Sequence, residues 1–227
     1  MQKRSFLAFI IVASLTFFGT HALAQGDNAA LATLEPLQGQ VQWLATGEDD
    51  WQTITEPVMI GEGDRIQTGA AGWAVLTFFE GASSEIFGNT EVLVTALELP
   101  TEENGNFIVN YDLLVGDTFN TVNTLLDAES RFEVRTPTIT ASVRGTEYFV
   151  MASPTGQSMV VTGEGEVETS TNITPGPIAI QGGQTLVFST DGSPGEVLQT
   201  LVVPNIPLNA PLAEATCGDA ICQPAEA

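Results

Sequence analysis

From about residue 37 onward, apolar and polar residues alternate in short runs that Gly, Pro, Asn and Asp interrupt. A period of two is the mark of strands with one buried face. Phe107 to Val115 (FIVNYDLLV) is the clearest case: Phe107, Val109, Tyr111, Leu113 and Val115 share one face, with Asn110 and Asp112 on the other. Val92 to Leu99 (VLVTALEL) precedes it, and the intervening PTEENGN carries Asn104-Gly105, a pair suited to a tight hairpin turn. Ala74 to Phe79 (AVLTFF) is more continuously apolar and reads as a more fully buried strand. FEVRT and ITASV form a further pair broken at Pro137, which cannot donate to a ladder and marks a corner. Beyond the first 24 residues no long segment keeps a helical period, so the expected class is all-β.

A loose repeat runs through these strands: a Gly, a polar residue, then an apolar residue and more strand. It occurs as GQVQW at Gly39, GDRIQT at Gly63, GDTFNT at Gly116, GEVETS at Gly165 and GQTLVF at Gly183. The spacing is too uneven for a solenoid of fixed period. Each Gly permits a turn that other residues resist, after which the chain enters a new strand. The pattern predicts a sheet folded back on itself in stacked turns, a β roll or irregular β-helix, with a β-sandwich as the alternative.

The two ends differ from this body. Residues 1–24 read as an export signal: Lys3 and Arg4, the apolar run Phe6 to Phe18, then the small residues Ala22 and Ala24 around Leu23. That run is short for a spanning helix, which needs roughly 20 apolar residues. The mature chain is therefore expected to start at Gln25, to cross no membrane, and to work outside the cytoplasm. Residues 25–36 read as a lead-in and 37–200 as the β domain. The Pro-containing stretch 201–216 reads as a linker and 217–227 as a short cysteine-bearing tail.

Cleavage would remove both Lys3 and Arg4 along with the one histidine, His21, leaving four arginines against 28 acidic residues, a net charge of −24. Such a surface repels nucleic acid and favours cations or basic partners. Without His or Lys, Ser-His-Asp catalysis, His-ligated zinc and Schiff-base chemistry are all excluded. No cofactor is expected.

Three of the four remaining arginines, Arg131, Arg135 and Arg144, sit within RFEVRTPTITASVRGTEYFV. The ordered set Phe132, Val134, Thr136 and Pro137, then Arg144-Gly145-Thr146, Phe149 and Val150, resembles the FecR domain of bacterial extracytoplasmic proteins. GDRIQTGAAGWAVLTFFEGASSEI upstream resembles the same family, as do VVTGEGEVE and GGQTL downstream, and the likeness spans roughly residues 37 to 190. The resemblance implies an all-β module. The best understood relatives are membrane-bound anti-sigma regulators, in which a cytoplasmic helical domain holds a sigma factor and the periplasmic part receives a signal. Here an export signal is expected in place of the cytoplasmic domain and spanning helix. What carries over is the extracytoplasmic module.

Arg131, Glu133 and Arg135 alternate on one strand face, opposite Phe132 and Val134. A cross-strand ladder with the abundant acids is one reading of these cations, fixing register at roughly 0.2–1 kcal/mol per exposed pair. The other is an anion site at the Arg144-Gly145-Thr146 corner, where a guanidinium can fork two hydrogen bonds. Trp43, Trp51 and Trp73 are read as core fillers, with sugar stacking as the alternative. At the end of the chain, CGDAICQPAE resembles the start of a cysteine module of secreted proteins. Cys217 and Cys222 are expected to close one disulfide, with a calcium ligand set around Asp219 and Glu226 as the alternative.

These observations point to an exported, non-enzymatic interaction module bound to an envelope or secreted protein. A surface or matrix component binding Ca²⁺ or polysaccharide is the second reading. A carboxylate glycosidase is the third, and it needs two carboxyl groups roughly 5 to 10 Å apart in a cleft.

Overall fold

The computed structural model describes residues 32–79, 81–98, 106–123, 130–199, 216–218 and 221–223. Among these residues there are nineteen strands and no helix. They are β1 (Ala32–Gln38), β2 (Val41–Leu44), β3 (Gln52–Thr53), β4 (Val58–Ile60), β5 (Arg65–Thr68), β6 (Trp73–Phe79) and β7 (Ala82–Ile86). Next come β8 (Glu91–Glu98), β9 (Ile108–Val122), β10 (Arg131–Arg135), β11 (Thr140–Val143), β12 (Thr146–Ala152) and β13 (Ser158–Glu164). The series continues with β14 (Glu166–Ser170), β15 (Ile178–Gln181), β16 (Gln184–Phe188) and β17 (Leu198–Gln199), then the separate hairpin β18 (Thr216–Gly218) and β19 (Ile221–Gln223).

The ladders form two arrays joined by one strand. Sheet A runs β4-β1-β6-β7-β9-β12-β13-β16-β17. Sheet B runs β3-β2-β5-β8-β9-β10-β11-β14-β15. Every pairing is antiparallel except β9 with β10. β9 belongs to both: residues 108–115 pair in sheet B and residues 116–122 in sheet A. The sheet is open and does not close into a barrel.

The chain thus passes repeatedly between the two sheets, and all five glycines of the sequence repeat stand where it does so. Gly39, Gly63, Gly116, Gly165 and Gly183 have φ values between 65° and 101°. At Gly116 the requirement is doubled. Its φ is 101°, and a Cβ there would lie 2.2 Å from Thr90 Oγ1 and 2.5 Å from Thr90 Cα. Only glycine lets β9 change sheets at this point.

The core lies between the sheets. Alternate residues of each strand point into it, among them Leu34, Leu76 and Val150 from sheet A and Ile66, Leu113 and Val134 from sheet B, all fully buried. Burial of such a side chain contributes about 1.5–3 kcal/mol. Aromatic rings tie the layers together. Phe78 of sheet A meets Phe132 of sheet B edge-on at 5.3 Å and stacks with Tyr111 at 6.2 Å. A polar cluster sits in the same core: Tyr111 Oη donates to Asn120 Oδ1 at 2.6 Å, Ser84 Oγ donates to that oxygen at 2.5 Å, and Asn120 Nδ2 donates to Thr118 Oγ1 at 3.2 Å. Burial pushes the Tyr111 phenol up to about 12 against weaker opposing hydrogen bonds from Ser84, Thr118 and Asn120.

The expected strands at 92–99 and 107–115 are present as the antiparallel pair β8 and β9, with Glu98 opposite Ile108. Their turn at Asn104-Gly105 lies outside the described residues. FEVRT and ITASV form the β10–β11 hairpin, closed by the Thr136 N–H bonding to Ile139 O at 2.9 Å.

β1 begins inside the stretch 25–36 expected as a lead-in. Residues 32–36 form most of β1, whose Ala32 and Leu34 are buried. Pro36 concealed it, because proline rarely sits within a sheet. Here β4 pairs with Ala32, Thr33 and Leu34, so that side of the strand is free by Pro36, and the register with β6 shifts just after it. The expected linker over 201–216 lies outside the described residues, apart from Thr216 at the start of β18.

Candidate functional site

β10 and β11 present Arg131, Glu133 and Arg135 with Thr140 and Ser142 on the outer face of sheet B. Phe132 and Val134 on the opposite side of β10 are buried in the core. β14 extends this face, because Ser142 stands opposite Glu168. Val167 and Thr169 of β14 point inward, so Glu166 and Glu168 point outward.

An open groove of about 550 Å³ crosses this face, lined by Ser130, Arg131, Glu133, Ser142, Arg144, Gly145, Thr146, Glu166 and Glu168 together with Phe132 and Val143. Four of the five residues singled out in the sequence therefore meet here: Arg131, Arg144, Gly145 and Thr146. Arg135 does not line it. Its Nη2 donates to Glu133 Oε2 at 3.0 Å, and it stands opposite Asp112 of β9. Burial raises the Asp112 carboxyl above its ordinary value, and the positive charge of Arg135 offsets part of that rise.

Two stacked turns build the corner. Arg144-Gly145-Thr146 carries the chain from β11 in sheet B to β12 in sheet A, and Glu164-Gly165-Glu166 carries it back from β13 to β14. Thr146 Oγ1 donates to Glu166 O at 2.9 Å. Gly165 has a φ of 84°, and a Cβ on it would stand 2.5 Å from Gly145 O. This close approach of backbones brings Glu166 beside the arginine corner.

The groove thus offers two guanidinium groups, three carboxylates and several hydroxyls. It suits ion pairs and hydrogen bonds with a polar partner. Glu166 and Glu168 were missed in reading the sequence, although the alternation of GEVETS places them on the outward face.

Asp64, in the Gly63-Asp64 step, plays a structural part. Its carboxylate accepts hydrogen bonds from Trp43 Nε1 at 3.0 Å, the Thr46 N–H at 2.8 Å, Thr46 Oγ1 at 3.1 Å and the Gly61 N–H at 3.0 Å. Trp51 and Trp73 are not part of the core cluster, which corrects the expectation for these two. All three are half-buried, Trp43 against the core. Trp73 Nε1 donates to Glu85 at 3.1 Å, and the Arg65 guanidinium lies 5.6 Å from the Trp51 ring centre. The indole N–H groups of Trp43 and Trp73 reach carboxylates, and Trp51 meets a cation with its ring face.

Among the described residues no group of three or more His, Cys, Asp or Glu side chains could hold a metal ion, and no helix is long and apolar enough to cross a membrane. The side chains of Cys217 and Cys222 lie outside the described part, although the β18–β19 backbone sets the two residues opposite each other.

The sequence profile of the FecR protein family matches residues 64–168, from Asp64 through the groove to Glu168. The chain carries a FecR domain. Two crystal structures of a "putative anti-sigma factor" from Parabacteroides distasonis ATCC 8503 are similar at 20% identity, with TM-scores of 0.45 and 0.44. Each alignment covers 60% of this chain and 58% of the other, so the chain spans less than two thirds of the structures it matches. A search of curated proteins finds no match. The FecR match contains both Arg131–Arg135 and the Arg144-Gly145-Thr146 corner, and the groove is thus part of the FecR domain.

Proposed function

We propose that this chain is an exported, non-enzymatic interaction module of the FecR type that binds an envelope or secreted protein, in a setting of extracytoplasmic signalling. One observation carries the reading: the groove that gathers Arg131 and Arg144 with Glu133, Glu166 and Glu168 lies inside the FecR match. Mixed charges on an open sheet face recognise polar groups of a partner polypeptide, with like-charge contacts rejecting wrong ones. The residues of the groove include no His, Lys or Cys to serve as an activated nucleophile or base.

The N-terminal run 1–24 supplies export in this reading. The chain folds as a stacked-turn roll, supported by the five sheet-changing glycines. Cys217 and Cys222 form a disulfide, supported by their opposed positions, since facing strand residues have Cα separations within the range a disulfide spans. The high negative charge favours one further reading, a surface component binding Ca²⁺ or polysaccharide.

Crosslinking in the native organism, followed by capture and mass spectrometry, tests the proposal. Wild-type protein is expected to yield one protein partner at stoichiometric level, and Arg131→Glu to lose most of that yield. Recovery of wall polysaccharide, or a melt shifted upward by millimolar Ca²⁺, would move the second reading ahead.

A further inference from the structure

The outer face of sheet A has a different chemistry from the groove. Its strands contain no Lys or Arg; Arg65, Arg131, Arg135 and Arg144 all belong to sheet B or its corner. Across the middle of the face, cross-strand partners run Glu85, Phe119, Phe149, Val161. The neighbouring row runs Asp117, Met151, Met159, Val187. Phe87 stacks on Phe149 at 6.3 Å, joining the rows.

These side chains point away from the core, since Tyr148, Val150, Val160 and Leu186 between them are buried. Phe119, Phe149, Met151, Met159 and Val161 are half-buried, and Val187 and Leu198 near the edge are 38% and 55% exposed. A contiguous apolar face of this kind on a soluble domain marks a contact surface. Acidic residues punctuate it. Glu85 and Asp117 lie within the two rows, exposed Glu35 stands beyond Val75 in the first of them, and Glu147 stands directly opposite Glu164 on adjacent strands. Like charges placed opposite each other destabilise a ladder unless a cation joins them.

Charge selects the occupant. A second copy would bring an equally acidic face from a chain of net charge −22, and an anionic membrane would be repelled in the same way. We infer that the outer face of sheet A docks a polypeptide segment of a partner that presents apolar side chains flanked by Lys or Arg. The apolar residues cover the Phe119–Phe149–Met159 area, and the cations meet Glu85, Asp117 and the Glu147–Glu164 pair. This surface is separate from the groove on sheet B and goes beyond the reading built on it.

Three synthetic peptides of about ten residues, the length of a strand that crosses the face, serve as probes in isothermal titration calorimetry with the purified protein. One alternates Leu and Lys, one Leu and Glu, and one Gly and Lys. The Leu/Lys peptide is expected to bind with a negative heat-capacity change, the Leu/Glu peptide not to bind, and the Gly/Lys peptide to bind at least about tenfold more weakly. The double variant Val187→Ser, Met159→Ser keeps the net charge and changes only outward positions. Its circular dichroism melt should show a folded protein, and its affinity for Leu/Lys should fall about tenfold. Val187→Ser alone, at the more exposed site, should show a smaller loss and decides the matter if the double variant melts early.

Absence of Leu/Lys binding would overturn the inference, as would equal binding of Gly/Lys or unchanged affinity in the serine variants. A dimer in sedimentation that the serine variants convert to monomer would assign the face to a second copy and overturn it too.

Discussion

Asp64 is 7% exposed and accepts hydrogen bonds from four donors on β2, the turn after it and the turn before β5. Removing the carboxylate leaves part-buried N–H groups without their acceptor, a cost larger than the net worth of the bonds themselves. Asp64→Ala is expected to lower unfolding stability by about 2–4 kcal/mol, read from urea melts. A loss below about half a kcal/mol would show that water replaces the carboxylate without penalty. On the outer face of sheet B the scale of effect differs. Arg135 and Glu133 form an exposed pair on one strand, and Arg135→Ala should cost no more than about 1 kcal/mol.

β9 is the element on which the two sheets depend. It pairs with β8 and β10 in sheet B and with β7 and β12 in sheet A, changing sheets at Gly116. Gly116→Ala combines an unfavourable φ, worth about 1–2 kcal/mol, with a steric clash against Thr90. The expected loss exceeds about 2 kcal/mol in a denaturant melt, with hydrogen-exchange protection falling in both sheets together. One residue further on, burial raises the Asp117 carboxyl above its ordinary value. The folded state thus holds that proton more tightly than the unfolded chain. Asp117 therefore favours folding most at pH values below its unfolded pKa, and stability is lost as pH rises through the folded pKa. Asp117→Asn should raise the melting temperature near about pH 7, and the difference from wild type should close toward about pH 3.

For the molecule as a whole, 28 acidic residues against six basic ones make self-repulsion a general load on the fold. Salt at about 0.15 M shortens the Debye length to about 8 Å, and the melting temperature is expected to rise between low salt and that concentration. At the alkaline end, Tyr111 is pushed up to about 12 and Tyr148 well above its ordinary value, in both cases chiefly by burial. The unfolded chain ionises these phenols near pH 10 while the folded one resists. Their contribution to stability is complete below about pH 10 and is lost as pH rises toward the folded values. Phenolate absorbance and circular dichroism should therefore change together in one step above about pH 10. Absorbance rising well before the circular dichroism would contradict the burial of both rings.

The sequence alone determined the all-β class, the faces of the clearest strands and the FecR likeness, because these rest on local pattern. FIVNYDLLV shows its buried side through period two, and FEVRT-PT-ITASV shows its hairpin through one proline. The glycine repeat likewise marks five sheet changes, since a positive φ is a local demand that few residues meet. β1 was partly hidden by Pro36, whose missing donor is tolerated only because of what lies beside it in the sheet. AVLTFF seemed buried on both sides, yet Val75 is half-buried and Thr77 exposed, because the outer face of sheet A is itself apolar. Long-range pairing alone decided that Arg131 and Arg144 share a groove with Glu166 and Glu168 while Arg135 turns to Glu133 and Asp112. The same pairing separated a cation-bearing sheet B from a sheet A that has none, because register between distant strands is fixed by the packing of the whole core.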